Sequence, residues 1–200
     1  MEKKIPWELY PHIWKSKSAF MAFVRGGIRK GLWNTNPIKM EFIKNNRKRV
    51  NLGKITPKNP EGEVWGAQCS ICKQDFKQAE CQVDHVDGNK SLKSMDDLLS
   101  FVEGMIIITD EDLALVCKPC HTIKTYSETH NISFELARIT KQAIAFQKLG
   151  VKVQKKLLAD KGFKEVQTTS SAKRRDCFMK LKGINSDIVI KKGDIRWLKL

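Results

Sequence analysis

The chain has 200 residues and a formal net charge of +15, with 37 Lys and Arg against 22 Asp and Glu. This length accommodates one ordinary domain with appendages, or a few small modules that each need a stabilising staple. No apolar run approaches the ~18 residues that a membrane-spanning helix needs, and the first residues lack the apolar segment of a signal peptide. We therefore expect a cytoplasmic protein, whose six cysteines are metal ligands or free thiols rather than disulfides.

The positive charge is concentrated in the two ends of the chain. Residues 1–58 carry 14 Lys and Arg against 3 acidic residues, residues 127–200 carry 17 against 7, and the centre, residues 59–126, carries 6 against 12. Basic ends attract polyanions, whereas an acidic centre repels a phosphate backbone unless cations neutralise it. This distribution indicates a nucleic-acid partner and a metal site in the centre; the alternative is a set of solvated lysine faces.

Two helices are predicted near the N-terminus. Apolar residues at helical spacing, with arginines on another side, predict the first over residues 16–33. The second begins at Pro37 after an Asn36 cap and ends in a basic cluster, for which we expect phosphate contacts: Arg47, Lys48 and Arg49. Residues 51–63 then form a linker. Three tryptophans lie among these basic residues, where core packing and stacking on bases are both open: Trp7, Trp14 and Trp33.

The pattern changes to short strands after residue 63. Two strands surround a cysteine turn, and residues 82–86 alternate as a strand should. Residues 95–109 predict a short helix and an apolar turn. A further helix is expected to begin at residues 110–112, whose acids suit a helix N-terminus, and to run to residue 130. Three helices follow in the basic tail: 133–149, 151–161 and 172–182.

Four cysteines form the strongest motif of the chain. Cys69 and Cys72, and again Cys117 and Cys120, are separated by two residues, and two such pairs provide the four thiolates of a tetrahedral zinc site. The 44 residues between the pairs exceed the usual gap of a small zinc ribbon, so further structure is built between the two cysteine turns. Two cysteines have no partner at this spacing and are expected to be ordinary thiols: Cys81 and Cys177.

Residues suited to catalysis lie between and just after these turns. Asp84 and His85 are adjacent on a predicted strand, and His121 and Lys124 follow Cys120 closely. Cleavage of a phosphodiester requires a base that activates water and a cation that stabilises the departing oxygen. Because neighbouring strand residues point to opposite sides, one residue of the first pair can bind metal while the other addresses the water. A purely structural zinc ribbon has no need of these groups.

Together these motifs resemble the HNH nuclease family. The shared pattern is a CxxC turn at residues 69–72, the Asp-His pair at 84–85, and the run LALVCKPCHTIKT at 113–125. It covers residues 64–126, about a third of the chain. The segment between the Asp-His pair and Asp112 is longer than the family's usual loop. This layout is similar to that of nucleases encoded by bacteriophages and implies a phage or mobile-element origin.

The resemblance implies a role for each residue of the motif. The four cysteines hold a structural Zn²⁺ that braces a ββα unit, and Asp84 and His121 ligate one catalytic divalent ion, Mg²⁺ or Mn²⁺. His85 is the general base, and cleavage leaves 5′-phosphate and 3′-hydroxyl ends. Asp112 stands where the family has asparagine, so it either accepts a hydrogen bond from the base imidazole or binds metal. Lys124 either contacts phosphate or only charges the solvent face of its helix.

The expected fold is α+β, with a small ββα-metal core braced by the four-cysteine zinc site and flanked by helical basic arms. The predicted regions are a DNA-contacting arm over 1–62, the nuclease domain over 63–126 and a DNA-binding arm over 127–200. In the last arm the helices 151–161 and 172–182 form either a helix-turn-helix-like reader or a phosphate clamp. Its expected contact residues are Lys173, Arg174 and Arg175.

The predicted function is metal-dependent endonucleolytic hydrolysis of DNA. Two alternatives are open: a zinc-ribbon DNA-binding protein without catalysis, and a nuclease acting on RNA or single strands. A double-strand break made by single active sites favours either a homodimer or sequential nicking. No membrane partner is expected.

Overall fold

The computed structural model describes residues 4–88 and 91–182, which leaves residues 183–200 of the predicted C-terminal arm outside the described residues. The described residues form a mixed α+β fold with eight α-helices and two small sheets, which confirms the predicted class at that level. The contacts divide the chain into two units, Met1–Lys118 and Pro119–Leu200. None of the helices in the described part of the chain is both long and apolar enough to span a membrane.

The helices of the first unit confirm the two that the N-terminal sequence predicts. They are α1 (Pro6–Leu9), α2 (Lys17–Ile28, continued by a π-helical turn, Arg29–Trp33), α3 (Pro37–Asn46) and α4 (Leu98–Ile106). The side chain of Asn36 caps α3, since its Oδ1 accepts from the backbone N–H of Ile38 at 2.9 Å. The same side chain donates through Nδ2 to the Met105 carbonyl at 2.9 Å. Asn36 therefore begins one helix and fixes the end of another.

A three-stranded antiparallel sheet follows α3. Its strands, in spatial order, are β1 (Lys48–Val50), β2 (Val64–Gln68) and β3 (Asp75–Lys77). A side chain at Gly66 would collide with the carbonyl of Phe76 and a methyl group of Val50, so glycine permits this close strand packing. The basic cluster does not end a helix as expected, because α3 stops at Asn46 and two of the three residues lie in β1. The segment before residue 63 thus contributes a strand to the sheet that holds the first cysteine turn.

A second antiparallel pair, β4 (Cys81–His85) and β5 (Leu113–Cys117), carries the Asp-His motif. Cys81 lies opposite Cys117, and His85 lies opposite Leu113. The expected helix over residues 110–130 is wrong for its first part, because Leu113 and Leu115 pack with Val83 in a buried core while their backbone pairs with β4. Residues 110–112 form a single 3-10 turn before the strand. The helix α5 (Lys118–His130) begins where β5 ends, so the chain order is β4, β5, α5.

The described part of the second unit contains four helices: α5, α6 (Phe134–Gln147), α7 (Val151–Ala159) and α8 (Ser171–Leu181). The bounds of the last three agree with the tail helices that the sequence predicts. The helices α6, α7 and α8 share a core that includes Phe146, Leu158 and Phe178. The connection between α7 and α8 contains a 3-10 turn, Glu165–Thr168. The whole connection between α7 and α8 is much longer than the turn of three or four residues in a helix-turn-helix. It therefore does not support a helix-turn-helix in the tail.

Arg174 is a structural residue of this unit, which corrects its expected role as a DNA contact. Its side chain is buried, and Nε donates to Oε1 of Gln154 at 2.7 Å, while Nη1 donates to the carbonyls of Thr168 and Thr169 at 3.0 and 3.2 Å. A guanidinium held in this way does not extend to a phosphate. Its donors instead satisfy buried acceptors that connect α7 to the turn before α8.

We expect Arg174→Met to lower the free energy of unfolding of the second unit by about 3 kcal/mol, because it leaves three acceptors without their donor. Lys173→Met removes the same charge at an exposed neighbour and should change stability by less than about 0.5 kcal/mol. Urea unfolding followed by circular dichroism measures both. Equal stability of the two variants would contradict the structural role of Arg174.

Candidate functional site

The four predicted cysteines come together. The sulfur atoms of Cys69, Cys72, Cys117 and Cys120 all lie within 4.8 Å of one another, and three of the four residues are buried. Tetrahedral zinc with Zn–S bonds of about 2.3 Å places its sulfurs roughly 3.8 Å apart, so these positions need only small shifts to hold such an ion. The donor set is all thiolate, which suits zinc. The cluster can therefore hold a metal ion such as zinc.

The first cysteine turn is fixed by backbone hydrogen bonds. The N–H of Cys69 donates to the Gln74 carbonyl and the N–H of Lys73 donates to the Cys69 carbonyl, each at 2.9 Å. Lys73 adopts a left-handed φ of 59°, which turns the chain back into β3. The N–H of Ser70 donates to the Leu115 carbonyl at 2.8 Å, so the turn is tied to β5. Two sulfurs thus lie beside the strand that ends in the third cysteine.

Cys69 is prepared for the thiolate form that a metal requires. Burial of its sulfur opposes ionisation, but backbone N–H groups of Cys117, Cys72 and Ile71 donate to it and outweigh that effect, so its pKa falls to about 7. The bond from Cys117 spans 3.3 Å. A thiol with this pKa is half ionised near neutral pH, which favours metal binding.

The two remaining cysteines lie outside the cluster, as the sequence predicts. Cys81 directs its sulfur toward the Ala67 carbonyl at 3.9 Å, and Cys177 toward the Gln167 carbonyl at 3.3 Å. Burial raises the pKa of both thiols, so they favour the neutral form. Cys177 is buried and Cys81 is partly buried, and neither sulfur belongs to the cluster.

His85 has a defined ring orientation at the end of β4. Its Nε2 lies 2.6 Å from the carbonyl oxygen of Gly104, in the last turn of α4. A carbonyl oxygen can only accept, so Nε2 carries the ring proton and Nδ1 is the basic nitrogen of the neutral ring. Gly104 is available because the final carbonyls of a helix have no intrahelical partner. The long segment between β4 and β5 thus supplies the group that fixes the tautomer.

Trp33 holds the plane of the same ring. The indole and the imidazole stack with centroids 4.4 Å apart and planes inclined by 25°. The ammonium group of Lys39 lies 4.5 Å from the indole centroid and donates to the Trp33 carbonyl at 3.3 Å. Burial lowers the pKa of Lys39. Trp33 was open to core packing or base stacking in the sequence, and no pattern there connects it to His85. A backbone carbonyl such as that of Gly104 has no sequence signature at all.

Asp84 precedes His85 in β4, and its Oδ1 accepts from the His85 backbone N–H at 3.0 Å. Asp112 lies in the turn before β5, where its Oδ2 accepts from the N–H and the hydroxyl of Thr109 at 2.8 and 2.9 Å. That carboxylate oxygen closes a capping box, which is a structural task. The expectation that Asp112 orients the base histidine stays a prediction, with the Gly104 carbonyl already bonded to the ring.

The helix α5 carries the other residues of the motif. His121 is half-buried in its first turn, directly after Cys120. Lys124 forms an ion pair with Glu128, its Nζ 2.8 Å from Oε1. This contact favours the structural role that the sequence left open for Lys124.

The basic residues predicted to contact DNA have different environments. Lys48 pairs with Asp75 at 2.7 Å, whereas Arg47 and Arg49 lie over the ring of Trp65. Lys173 is exposed on α8 and Arg175 is half-buried. Their expected DNA contacts stay predictions, apart from the correction at Arg174.

Comparisons of the chain with family models, with curated proteins and with solved structures found no match. The residues themselves provide a four-cysteine cluster able to hold an ion such as zinc. The same mixed α+β fold contains a histidine with a fixed tautomer at the end of β4.

Proposed function

We propose that this protein is a metal-dependent endonuclease of the HNH type that hydrolyses DNA phosphodiester bonds. The observation that supports the proposal is the chain order β4, β5, α5, which is the element order of a ββα-metal unit. Asp84 and His85 end the first strand, and His121 lies in the first turn of the helix. The first cysteine turn, with Cys69 and Cys72, precedes this run. The second pair, Cys117 and Cys120, lies where β5 passes into α5.

In this proposal His85 is the general base. The hydrogen bond from Nε2 to Gly104 keeps Nδ1 as the nitrogen that accepts a proton from water. The stacked indole of Trp33 restricts rotation of the ring, so the base is held in one orientation before substrate arrives. Both contacts are what a base needs and are more than a solvent-exposed histidine would have.

Asp84 and His121 would hold the catalytic divalent ion, Mg²⁺ or Mn²⁺. Such an ion stabilises negative charge on the departing 3′ oxygen. Among the described residues, the cysteine cluster is the only group of three or more His, Cys, Asp and Glu ligands. A site with two protein ligands still suits Mg²⁺, which usually keeps several waters and binds substrate phosphate as well.

The cysteine cluster has a structural task in this proposal and holds Zn²⁺. Four thiolates leave a tetrahedral zinc ion without an open position for water or substrate, so this ion braces the unit and takes no part in cleavage. The net charge of +15 supports a nucleic-acid substrate, whose phosphates the exposed basic side chains would contact.

A zinc-ribbon DNA-binding protein is the alternative, because the cysteine cluster by itself would serve such a protein equally well. To separate the two, end-labelled duplex DNA, single-stranded DNA and RNA are incubated with the zinc-loaded protein, with and without Mg²⁺ or Mn²⁺. The proposal expects the duplex to be cut only with a divalent ion and to yield 5′-phosphate and 3′-hydroxyl ends, identified by direct religation. Binding of the duplex without cutting under either metal would favour the alternative.

The stack on His85 provides a sharper test of the base. We expect Trp33→Leu to lower the single-turnover cleavage rate by about tenfold or more, because a loosened ring spends less time aligned with water. Trp33→Phe keeps an aromatic face and should recover most of the rate. Zinc content and DNA affinity should be the same in all three proteins, and a rate unchanged in Trp33→Leu would contradict the positioning role.

A further inference from the structure

An exposed tryptophan organises two of the three residues of the basic cluster. Arg49 in β1 lies directly opposite Trp65 in β2. The guanidinium carbon of Arg49 is 5.1 Å from the centroid of the indole, and that of Arg47 is 4.3 Å from it. Both distances are within the range of a favourable cation–π contact. One indole thus holds two guanidinium groups at one place on the sheet.

This surface is accessible and carries excess positive charge. Trp65 is 44% exposed, an unusual degree for a large aromatic side chain in a strand. Arg49 forms an ion pair with Glu63, whose Oε2 lies 3.4 Å from its Nε, and the two side chains are 49% and 39% exposed. Within residues 4–88 and 91–182 the guanidinium of Arg47 forms no ion pair. Of the two guanidinium groups, therefore, only that of Arg49 is paired with a carboxylate of the described residues.

Lys48 takes no part in this surface, although it lies between the two arginines in sequence. It lies opposite Gly66, on the other face of the strand, and its Nζ pairs with Oδ1 of Asp75 at 2.7 Å. Alternate residues of a strand point to opposite faces, which explains the separation. Two arginines thus lie over the indole, whereas Lys48 carries the same charge on the other face of the strand and can serve as a control.

Guanidinium groups held over an aromatic ring are prepared for phosphate. A planar guanidinium over an indole has less side-chain freedom to lose on binding, and its N–H edges can still bind an anion. Those edges match the oxygens of a phosphodiester and bind them in pairs. Because two such groups share one ring, a single segment of a polyanion can contact both.

We propose that Arg47, Trp65 and Arg49 form a binding surface for the phosphodiester backbone of DNA, in which the indole orders both arginines. This binding surface rests on the proposed function only in the choice of DNA as the polyanion. The contact is to the backbone and carries no base specificity, since guanidinium groups on the outside of a sheet edge give no reason to expect groove reading. Lys48 lies outside this surface.

The test measures binding of a fluorescent duplex across a range of salt concentrations, without added divalent ions, so that cleavage plays no part. Arg47→Ala, Arg49→Ala and Trp65→Ala are each expected to weaken binding by about tenfold. Each arginine variant should also lower the slope of log affinity against log salt by about 0.9, the value for one phosphate contact. Lys48→Ala removes the same charge and should weaken binding by less than about twofold.

Zinc content and thermal unfolding of every variant establish that the fold is kept, and Arg49→Lys keeps the charge without the stacked plane. Arg49→Lys should bind nearly as weakly as Arg49→Ala. Equal weakening by Lys48→Ala and the arginine variants would reduce the effect to net charge and overturn the proposal. Full affinity in Trp65→Ala would overturn the role of the indole. These outcomes are read from binding alone, so they stand apart from whether the protein cuts DNA.

Discussion

Cys117→Ser is expected to remove the bound zinc and unfold the central part of the first unit. The sulfur of Cys117 belongs to the metal cluster, and its backbone N–H donates to the sulfur of Cys69. Structural zinc in small domains contributes apparent binding free energies of about 10–16 kcal/mol, which is folding free energy when no site exists in the unfolded chain. The effect should therefore far exceed the ~1 kcal/mol of an ordinary substitution.

Cys81→Ser is the matched control for this variant. Cys81 lies directly opposite Cys117 in the β4–β5 pair but its sulfur is outside the cluster. We expect one zinc ion per chain, measured by atomic absorption, in the native protein and in Cys81→Ser, and none in Cys117→Ser. Limited proteolysis should cut the first unit rapidly in Cys117→Ser alone. A full complement of zinc in Cys117→Ser would contradict the assignment of the four ligands.

His85→Ala is expected to lower the cleavage rate by about 10²–10⁴-fold, the usual contribution of a general base. The loss should lie in the rate at saturating DNA and not in affinity, because the base acts on water rather than on the bound backbone. His85→Gln can still donate to the Gly104 carbonyl but cannot accept a proton, so it should be equally slow.

His12→Ala provides the comparison, because His12 is an exposed histidine of the same unit. Its rate should equal that of the native protein. Single-turnover rates on labelled duplex, taken after zinc content has been checked in each variant, measure these effects. A His85→Ala protein that cuts at the native rate would remove the histidine base from the mechanism.

The cysteine cluster could be predicted from the sequence because its signal is local. Two residues between thiols are the usual spacing of a zinc-binding turn, and two such turns supply the four thiolates of a tetrahedral site. The strand that carries Asp84 and His85 was also predictable, since its residues alternate between a buried and a more exposed side. Both inferences needed only neighbouring residues.

The sequence predictions were wrong or incomplete at features that only tertiary contacts determine. The acids at 110–112 and the apolar run after them fit a helix start as well as a buried strand, and only pairing with β4 selects the strand. Arg174 has the charge of a phosphate contact, but Gln154 and two carbonyls bury it. The carbonyl of Gly104 lies 19 residues from His85 in the chain, and nothing in side-chain identity reveals that contact.

The segment between β4 and β5 has a role that its composition conceals. It looks like an insertion of apolar residues, yet the last turn of α4 fixes the tautomer of His85 and accepts from the Asn36 cap of α3. A helix end with unsatisfied carbonyls is well suited to orient a neutral imidazole. The proposed base is therefore supported by two segments outside the motif, α4 and the turn that ends in Trp33.

Cleavage of supercoiled plasmid by the zinc-loaded protein tests the central claim most directly. Reactions contain Mg²⁺, Mn²⁺ or no added divalent ion, and a gel separates supercoiled, nicked and linear DNA. We expect nicked or linear product with a divalent ion and none without it. Plasmid that stays supercoiled under both metals, while a gel shift shows that the protein binds it, would contradict a nuclease.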